Sequence, residues 1–297
     1  MKASSNCNSV VLTVAAVMAG LVLASVPILE AQQSKPQTLR PDQRHPLDLC
    51  GLPNANIGNC NHDQLDRDPT PAGPAPVRDL TGAWAGRNNS APREWPALTP
   101  FGQERMKSNR PSDDFSLANA NDPFDICDPL GVPRMSFAQT RGLMFAKMAD
   151  RMLVLHQYGQ LWREILTDGR PLPRNVGGGA PGSLPPRWLG YSVGRWEDDY
   201  TFVVETTGVD ERTWLHVSGH PHSVEMHILE RYKRVNHNTL EVNIRMTDPK
   251  IYTAPIVTTH HFKWIPKQEL EEQICAASEA IQYYRMMAAP AGDGSGK

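Results

Sequence analysis

Between Trp188 and Thr207 the chain reads W-L-G-Y-S-V-G-R-W-E-D-D-Y-T-F-V-V-E-T-T, two alternating runs flanking an acidic turn, and this spacing predicts two paired β-strands. Tyr200, Phe202 and Val204 alternate with Thr201, Val203 and Glu205, a β-branched and aromatic pattern that suits a pleated, half-buried surface. In the first strand Gly190, Ser192 and Gly194 share a face, and glycine inside a strand marks a close approach to the backbone. A turn of Glu197-Asp198-Asp199 sets Gly194 opposite Phe202 and Ser192 opposite Val204; a turn of Asp198-Asp199 alone sets Ser192 opposite Glu205. Both registers are open at this level.

The same period recurs downstream. Val224, Met226, Ile228, Glu230 and Tyr232 form one face of a strand, and Leu240, Val242, Ile244 and Met246 one face of the next. A loop of Asn236-His237-Asn238 pairs Tyr232 with Val242, Glu230 with Ile244 and Ile228 with Met246, and puts Lys233 opposite Glu241 on the wet face. Glu230 then points into an apolar layer. Upstream, the apolar runs 143–148, 152–158 and 161–166 are read as strands, with Tyr158-Gly159-Gln160 as a hairpin turn; a helix over 143–166 competes, opposed by Gly159 and its β-branched and aromatic neighbours.

A first strand is expected at 79–84, and Thr99 and Pro100 cap a short helix over 101–109. Residues 110–134, punctuated by Pro111, Pro123, Pro129 and Pro133, form a long loop around Cys127. Asp248-Pro249 turns the chain, 256–265 is another strand stopped by Pro266, and 269–285 has helical spacing and carries Cys275. With about eight to ten short antiparallel strands and two helices, the expected class is all-β, or β-dominated α+β. The economical architecture is a closed or nearly closed, lipocalin-like β-barrel.

Composition narrows the function classes. The 297 residues are 40% hydrophobic, enough for a sizeable core, and 26 prolines with 22 glycines favour a loop-rich β protein over a helical bundle. A net charge of −2 with no basic stripe excludes an electrostatic case for nucleic acid. Lys2, the apolar run Val10 to Leu29 and the following Glu30-Ala31-Gln32 have the layout of a secretory signal peptide, with cleavage after Ala31 and an uncleaved anchor as the alternative. The expected organisation is a leader over 1–31, a Pro/Asn-rich arm over 32–78, one barrel-like domain over 79–286 and a tail over 287–297. The location expected is periplasmic or secreted, with no membrane span once the leader is removed; the sequence is silent on oligomeric state. Four cysteines then remain, Cys50, Cys60, Cys127 and Cys275, an even count in an oxidising compartment. Of the three pairings, Cys50 with Cys60 and Cys127 with Cys275 is favoured; a metal site is the rival, without a C-x-x-C pair to support it.

An inward carboxylate must be neutral, paired or hydrogen-bonded, so Glu230 needs a partner, and Arg234 on the same face is the candidate. Glu230 could be an acid or base, a ligand anchor, or half of a structural ion pair. His222, in the His220-Pro-His222 loop, could converge with Asp210 and Glu230 as an acid/base set; His220, His222 and His260 or His261 could instead hold a metal, without a recognised ligand spacing. Ser192 in G-Y-S-V-G sits in a strand, the wrong context for a nucleophile elbow, and the run Gly177-Gly178-Gly179 lacks a phosphate-loop sequel, so no cofactor is expected. Trp188, Ser192, Glu205, Trp214, Arg231 and Arg234 are the residues expected to contact a ligand.

C-D-P-L-G-V-P-R at 127–134, H-Q-Y-G-Q-L-W-R-E-I-L-T-D-G-R-P-L-P at 156–173, Y-S-V-G-R-W-E-D-D-Y-T-F-V-V-E-T-T-G at 191–208, and the later H-P-H-S, E-R-Y and D-P-K-I-Y-T together resemble an uncharacterised family of exported bacterial β-rich proteins. The resemblance spans residues 80–275, departs at Asp198, where glycine is expected, and in the 177–184 insertion, and implies no activity. The leading expectation is an exported barrel that binds a small apolar molecule, with Glu230, Arg231 or Arg234 and one histidine orienting it. The alternatives are a hydrolase, lyase or isomerase using His222 with Asp210 or Glu230, and a structural envelope protein without a cavity.

Overall fold

The computed structural model describes residues 73–86, 92, 94–111, 119–137, 142–179, 181–265, 270, 272 and 274–288. The expected leader, most of the expected arm, the expected pairing of Cys50 with Cys60, and residues 289–297 of the expected tail lie outside the described residues. Nine strands close into a barrel. They are β1 (Gly82–Gly86), β2 (Leu143–Lys147), β3 (Arg151–His156), β4 (Leu161–Leu166), β5 (Tyr191–Trp196), β6 (Thr201–Thr207), β7 (His227–Asn236), β8 (Thr239–Thr247) and β9 (Ile256–Trp264). Among the described residues the helices are α1 (Pro100–Ser108), α2 (Arg134–Phe137) and α3 (Ala277–Ala288), with a 3₁₀ turn at Pro123–Ile126.

The all-antiparallel expectation fails at one place, for a topological reason. In a ring with an odd number of strands, direction cannot alternate all the way round, so at least one neighbouring pair must run parallel. Here that pair is β4 and β5, joined by the single partner pair Leu166 and Val193, while every other neighbour, including β1 with β9, is antiparallel. A parallel pair needs a long crossover, and residues 167–190 supply it.

The β7/β8 hairpin has the expected register, with Tyr232 opposite Val242, Glu230 opposite Ile244 and Lys233 opposite Glu241. The β5/β6 register matches neither alternative: Trp196 faces Phe202, Gly194 faces Val204 and Ser192 faces Thr206. Asp198 is the cause, because its Oδ1 accepts the backbone N–H of both Tyr200 and Thr201 and so widens the turn. Gly194 is where the close approach occurs: a Cβ there would lie 2.5 Å from the Phe202 ring and 2.7 Å from Ile165.

The inward faces of the strands pack Phe145, Val154, Ile165, Phe202, Ile228 and Val242 into one core. Thr99 caps α1 as expected, accepting the Gly102 N–H at 3.0 Å. β1 begins later than expected, after Asp79 has accepted both the N–H and hydroxyl of Thr81. β7 likewise starts at His227, leaving Val224 and Met226 in the approach. The C-terminal helix also starts later, at Ala277, so Cys275 lies just before it instead of within it. Cys127 and Cys275 form a disulfide, Cα atoms 5.5 Å apart, that ties the 3₁₀ turn to the approach of α3. Nearby, buried Arg134 grips Asp122, which also accepts the Phe124 N–H.

The disulfide spans 148 residues, so opening it releases a long loop in the unfolded chain. We expect Cys275→Ser to lower stability by about 2–5 kcal/mol. Urea denaturation of the variant beside the wild type checks this; coincident midpoints would contradict it.

Candidate functional site

Strand alternation sends Glu230 of β7 into the barrel, where it is fully buried. Its partner is Arg163 of β4, not Arg234. Arg163 shares the inner face with Ile165, and its guanidinium approaches Glu230 through both terminal nitrogens, Nη1 at 3.1 Å from Oε1 and Nη2 closer still on Oε2. The other donors are also placed: Nε donates to Ser192 Oγ at 3.1 Å, Nη2 to Thr206 Oγ1 at 2.6 Å, and the Tyr232 hydroxyl lies within hydrogen-bonding reach. Tyr232 in turn donates to Glu230 Oε1 at 2.7 Å, and the Ser192 and Thr206 hydroxyls share a bond at 2.9 Å. All three guanidinium nitrogens thus have acceptors. The β5/β6 register creates part of this set, since it places the Ser192 hydroxyl beside that of Thr206.

The surroundings respond to this pair. Burial and the Glu230 charge hold the Tyr232 phenol well above its ordinary range. His156, inward at the end of β3, is driven down to about 3 by burial and then by the Arg163 charge, so it is neutral at physiological pH. Its Nε2 and the amide of buried Gln157 have no hydrogen-bond partner among the described residues.

Arg234 serves the barrel end instead. It donates to the carbonyls of Asp79 and His237, with its guanidinium over Trp84 and Trp264. Arg231 and Glu205, expected among ligand contacts, lie on the outer face: Arg231 pairs with Glu197 at 2.8 Å, and Glu205 with Arg195 at 2.8 Å and His227 at 3.4 Å. Trp214 is buried in the 208–226 loop.

His222, Asp210 and Glu230 do not form one hydrogen-bonded set. His222 is fully buried, and burial lowers its pKa. Its Nδ1 lies 3.1 Å from the Ser223 carbonyl, and its Nε2 lies 2.7 Å from the Thr213 hydroxyl, which also donates to the Asp210 carbonyl at 2.9 Å, so both ring nitrogens are occupied. Asp210 is close enough to influence His222, but its carboxylate is held by Arg212, which keeps its pKa low. Ser223 is fixed by Asp248 through its N–H and hydroxyl. Farther along the loop, Ser218 Oγ lies between His216 Nδ1 at 2.7 Å and His220 Nδ1 at 2.8 Å, and His220 stacks on Trp95 with ring centres 3.6 Å apart. Among the described residues no group of three or more His, Cys, Asp or Glu side chains could hold a metal ion.

The open space lies at the parallel seam. Beyond Leu166 and Val193 the two strands share no ladder, and a cavity of about 560 Å³ is lined by Trp162 and Tyr191 from their outer faces, reaches Arg163 and Ser192, and is covered by residues of the crossover. Its far wall is anchored. Arg187 gives its N–H to Gly208 and its carbonyl to Gly190 and Asp210, which extends the crossover alongside the end of β6. Gly190 turns there at φ +65°, where a Cβ would lie 2.7 Å from the Thr207 carbonyl oxygen. Trp188 is covered by the Arg212 guanidinium at 4.0 Å, itself locked by Asp210. Trp188 and Ser192 therefore line one cavity and Asp210 braces it through Arg212. Arg163, Trp162, Tyr191 and Arg187 were not anticipated. Parity with Leu161 and Ile165 is the signal that places Arg163 inside.

The buried pair sets one expectation. Glu230→Gln leaves the Arg163 charge uncompensated and should cost about 3–5 kcal/mol, whereas the double variant Arg163→Met/Glu230→Met should recover much of that loss. Chemical denaturation of the set decides it: a single variant as stable as wild type would contradict the burial argument. The histidines set another. His156 is lowered to about 3, and His220 and His260 to about 4, chiefly by burial, so the unfolded chain takes up protons first as pH falls below 6.5. Their contribution to stability is complete above pH 6.5 and is lost progressively toward pH 4. Thermal midpoints across that window should fall with falling pH, and less steeply in His156→Gln; a flat profile would contradict the assignment.

No family model, curated protein or solved structure matches the chain, so the site rests on its own geometry.

Proposed function

We propose that this is an exported barrel that binds a small, largely apolar molecule in the cleft between β4 and β5, with the Arg163–Glu230 network as its fixed inner wall. The observation that carries this reading is the seam: two strands joined by one residue pair, opening into about 560 Å³ whose lining combines aromatic and aliphatic side chains with charged ones. That volume falls within the roughly 300–1,000 Å³ of small-molecule sites. Trp188, Trp162 and Tyr191 supply flat apolar surface, and the backbone bonds of Arg187 fix the far wall before any ligand arrives. Export, to the periplasm or beyond, is supported by the leader pattern at 1–31 and by the Cys127–Cys275 disulfide, which suits an oxidising compartment.

Binding is favoured over catalysis because the candidate acid/base groups are already committed. Glu230 accepts from Arg163 and Tyr232, Asp210 from Arg212, and both nitrogens of His222 are engaged in the interior of its loop. Among the described residues no helix is long and apolar enough to cross a membrane.

Titration with N-phenylnaphthylamine, a neutral aromatic dye that brightens in apolar sites, tests the cleft. We expect saturable binding that weakens about tenfold or more in Trp188→Ala, equivalent to at least about 1.4 kcal/mol. Native mass spectrometry of protein recovered from the cell envelope should show a retained small molecule that Trp188→Ala lacks. Wild-type protein that is ligand-free and does not bind the dye would overturn the reading.

A further inference from the structure

We propose, resting on the cleft as a binding site, that its ligand is an amphipathic anion: a flat apolar body carrying one carboxylate, sulfonate or similar group seated against Arg187. The argument is a charge inventory of the cavity wall. The ionisable side chains lining it are Arg163, Arg170, Arg187 and Glu164. Arg163 is neutralised by Glu230, Arg170 by Asp168, and Glu164 faces Arg151 at 3.4 Å. Arg187 differs: its guanidinium lies over the Tyr191 ring at 4.2 Å and has no carboxylate partner among the described residues.

The backbone holds Arg187 in place for this role. Its N–H and carbonyl are both bonded, to Gly208 and to Gly190 and Asp210, so the side chain starts from a fixed point at the cavity edge. The contact with the Tyr191 ring holds the guanidinium at the cavity edge without using its N–H groups on a carboxylate among the described residues, which leaves the planar donor fork that favours arginine over lysine for an oxyanion. Tyr191 is itself steadied by its hydroxyl bond to the Pro185 carbonyl at 2.8 Å. Beside this cation stands Trp188, braced by Arg212, and Trp162 offers a large ring on the opposite strand. A cation without a counter-ion next to flat aromatic surface is complementary to an aromatic or polycyclic acid.

Two dyes with one skeleton separate this inference from the reading beneath it. Anilinonaphthalene sulfonate carries the anionic group and N-phenylnaphthylamine lacks it. The wild type should bind the sulfonate about tenfold or more tightly than the neutral dye, and added salt should erode that preference. Arg187→Gln should bring the sulfonate to the affinity of the neutral dye and leave the neutral dye unchanged, while Arg187→Lys restores part of the preference. Thermal midpoints equal to wild type confirm that the variants are folded. Equal binding of both dyes, unaltered by Arg187→Gln, would overturn the anion and leave the cleft standing. A sulfonate preference that survives Arg187→Gln would overturn the role of Arg187. Failure of both dyes to bind, or binding untouched by Trp188→Ala, would overturn the cleft and the anion together.

Discussion

A guanidinium and a carboxylate enclosed inside a barrel set the constraint that the rest of this protein must meet. Arg163 and Glu230 sit on opposite parts of the ring, β4 and β7, and each is almost wholly removed from water. Desolvating two ions costs several kcal/mol apiece, and their attraction offsets this only when the remaining donors and acceptors are satisfied. Here Tyr232, Ser192 and Thr206 complete the set. Every strand that contributes a member must therefore keep its register, because a one-residue slip would turn that side chain outward and strand a charge. The pair thereby links β4, β5, β6 and β7 across a seam at which the sheet itself has a single paired position.

That seam follows from strand count. An even ring can alternate direction throughout, but nine strands cannot, and the compulsory parallel contact is located where the crossover 167–190 enters. The crossover then has two duties. It returns the chain to the same end of the barrel, and it roofs the gap that the sparse pairing leaves. Its anchoring bridge, Arg187 with Val209, continues the sheet by backbone bonds where the strands no longer do so.

Much of the barrel is legible in the sequence because period-two patterns are local. The β7/β8 register is legible in the opposed apolar faces, which also reveal that Glu230 points inward. The expected three-residue loop is in fact a His237-Asn238 turn, with Asn236 paired to Thr239 and a register shift between Arg234 and Asn236 making up the difference. The β5/β6 register is not recoverable from the same reasoning, because it depends on which backbone N–H groups the Asp198 side chain captures. Arg163 is readable as inward-facing by parity with Ile165, yet its partner is not, since the pairing is fixed only when β4 and β7 are brought across the barrel. The site is less legible still. An expected strand number of about eight to ten leaves its parity open, and parity decides whether a parallel seam exists at all. His222 and Asp210 stand out in sequence as acid/base candidates, but burial and close hydrogen bonding give them structural work.

Satisfying the buried charge so fully has a consequence for chemistry elsewhere. With Nε, Nη1 and Nη2 of Arg163 all bonded within the network, the proposed ligand would find little free donor capacity there, although Arg163 borders the cleft. In the proposed site, recognition would then fall to groups whose bonding is less complete. Arg187 is such a group, since its main chain is tied on both sides while its guanidinium lies over an aromatic ring and has no carboxylate partner among the described residues. The two roles are thus separated in space: the interior pair is bonded within the barrel, and the arginine on the crossover stands at the cavity edge. On the proposed reading, a barrel arranged this way would select a ligand by shape along Trp162 and Trp188 and by charge at Arg187, and the bonds that already hold the wall would keep reorganisation on binding small.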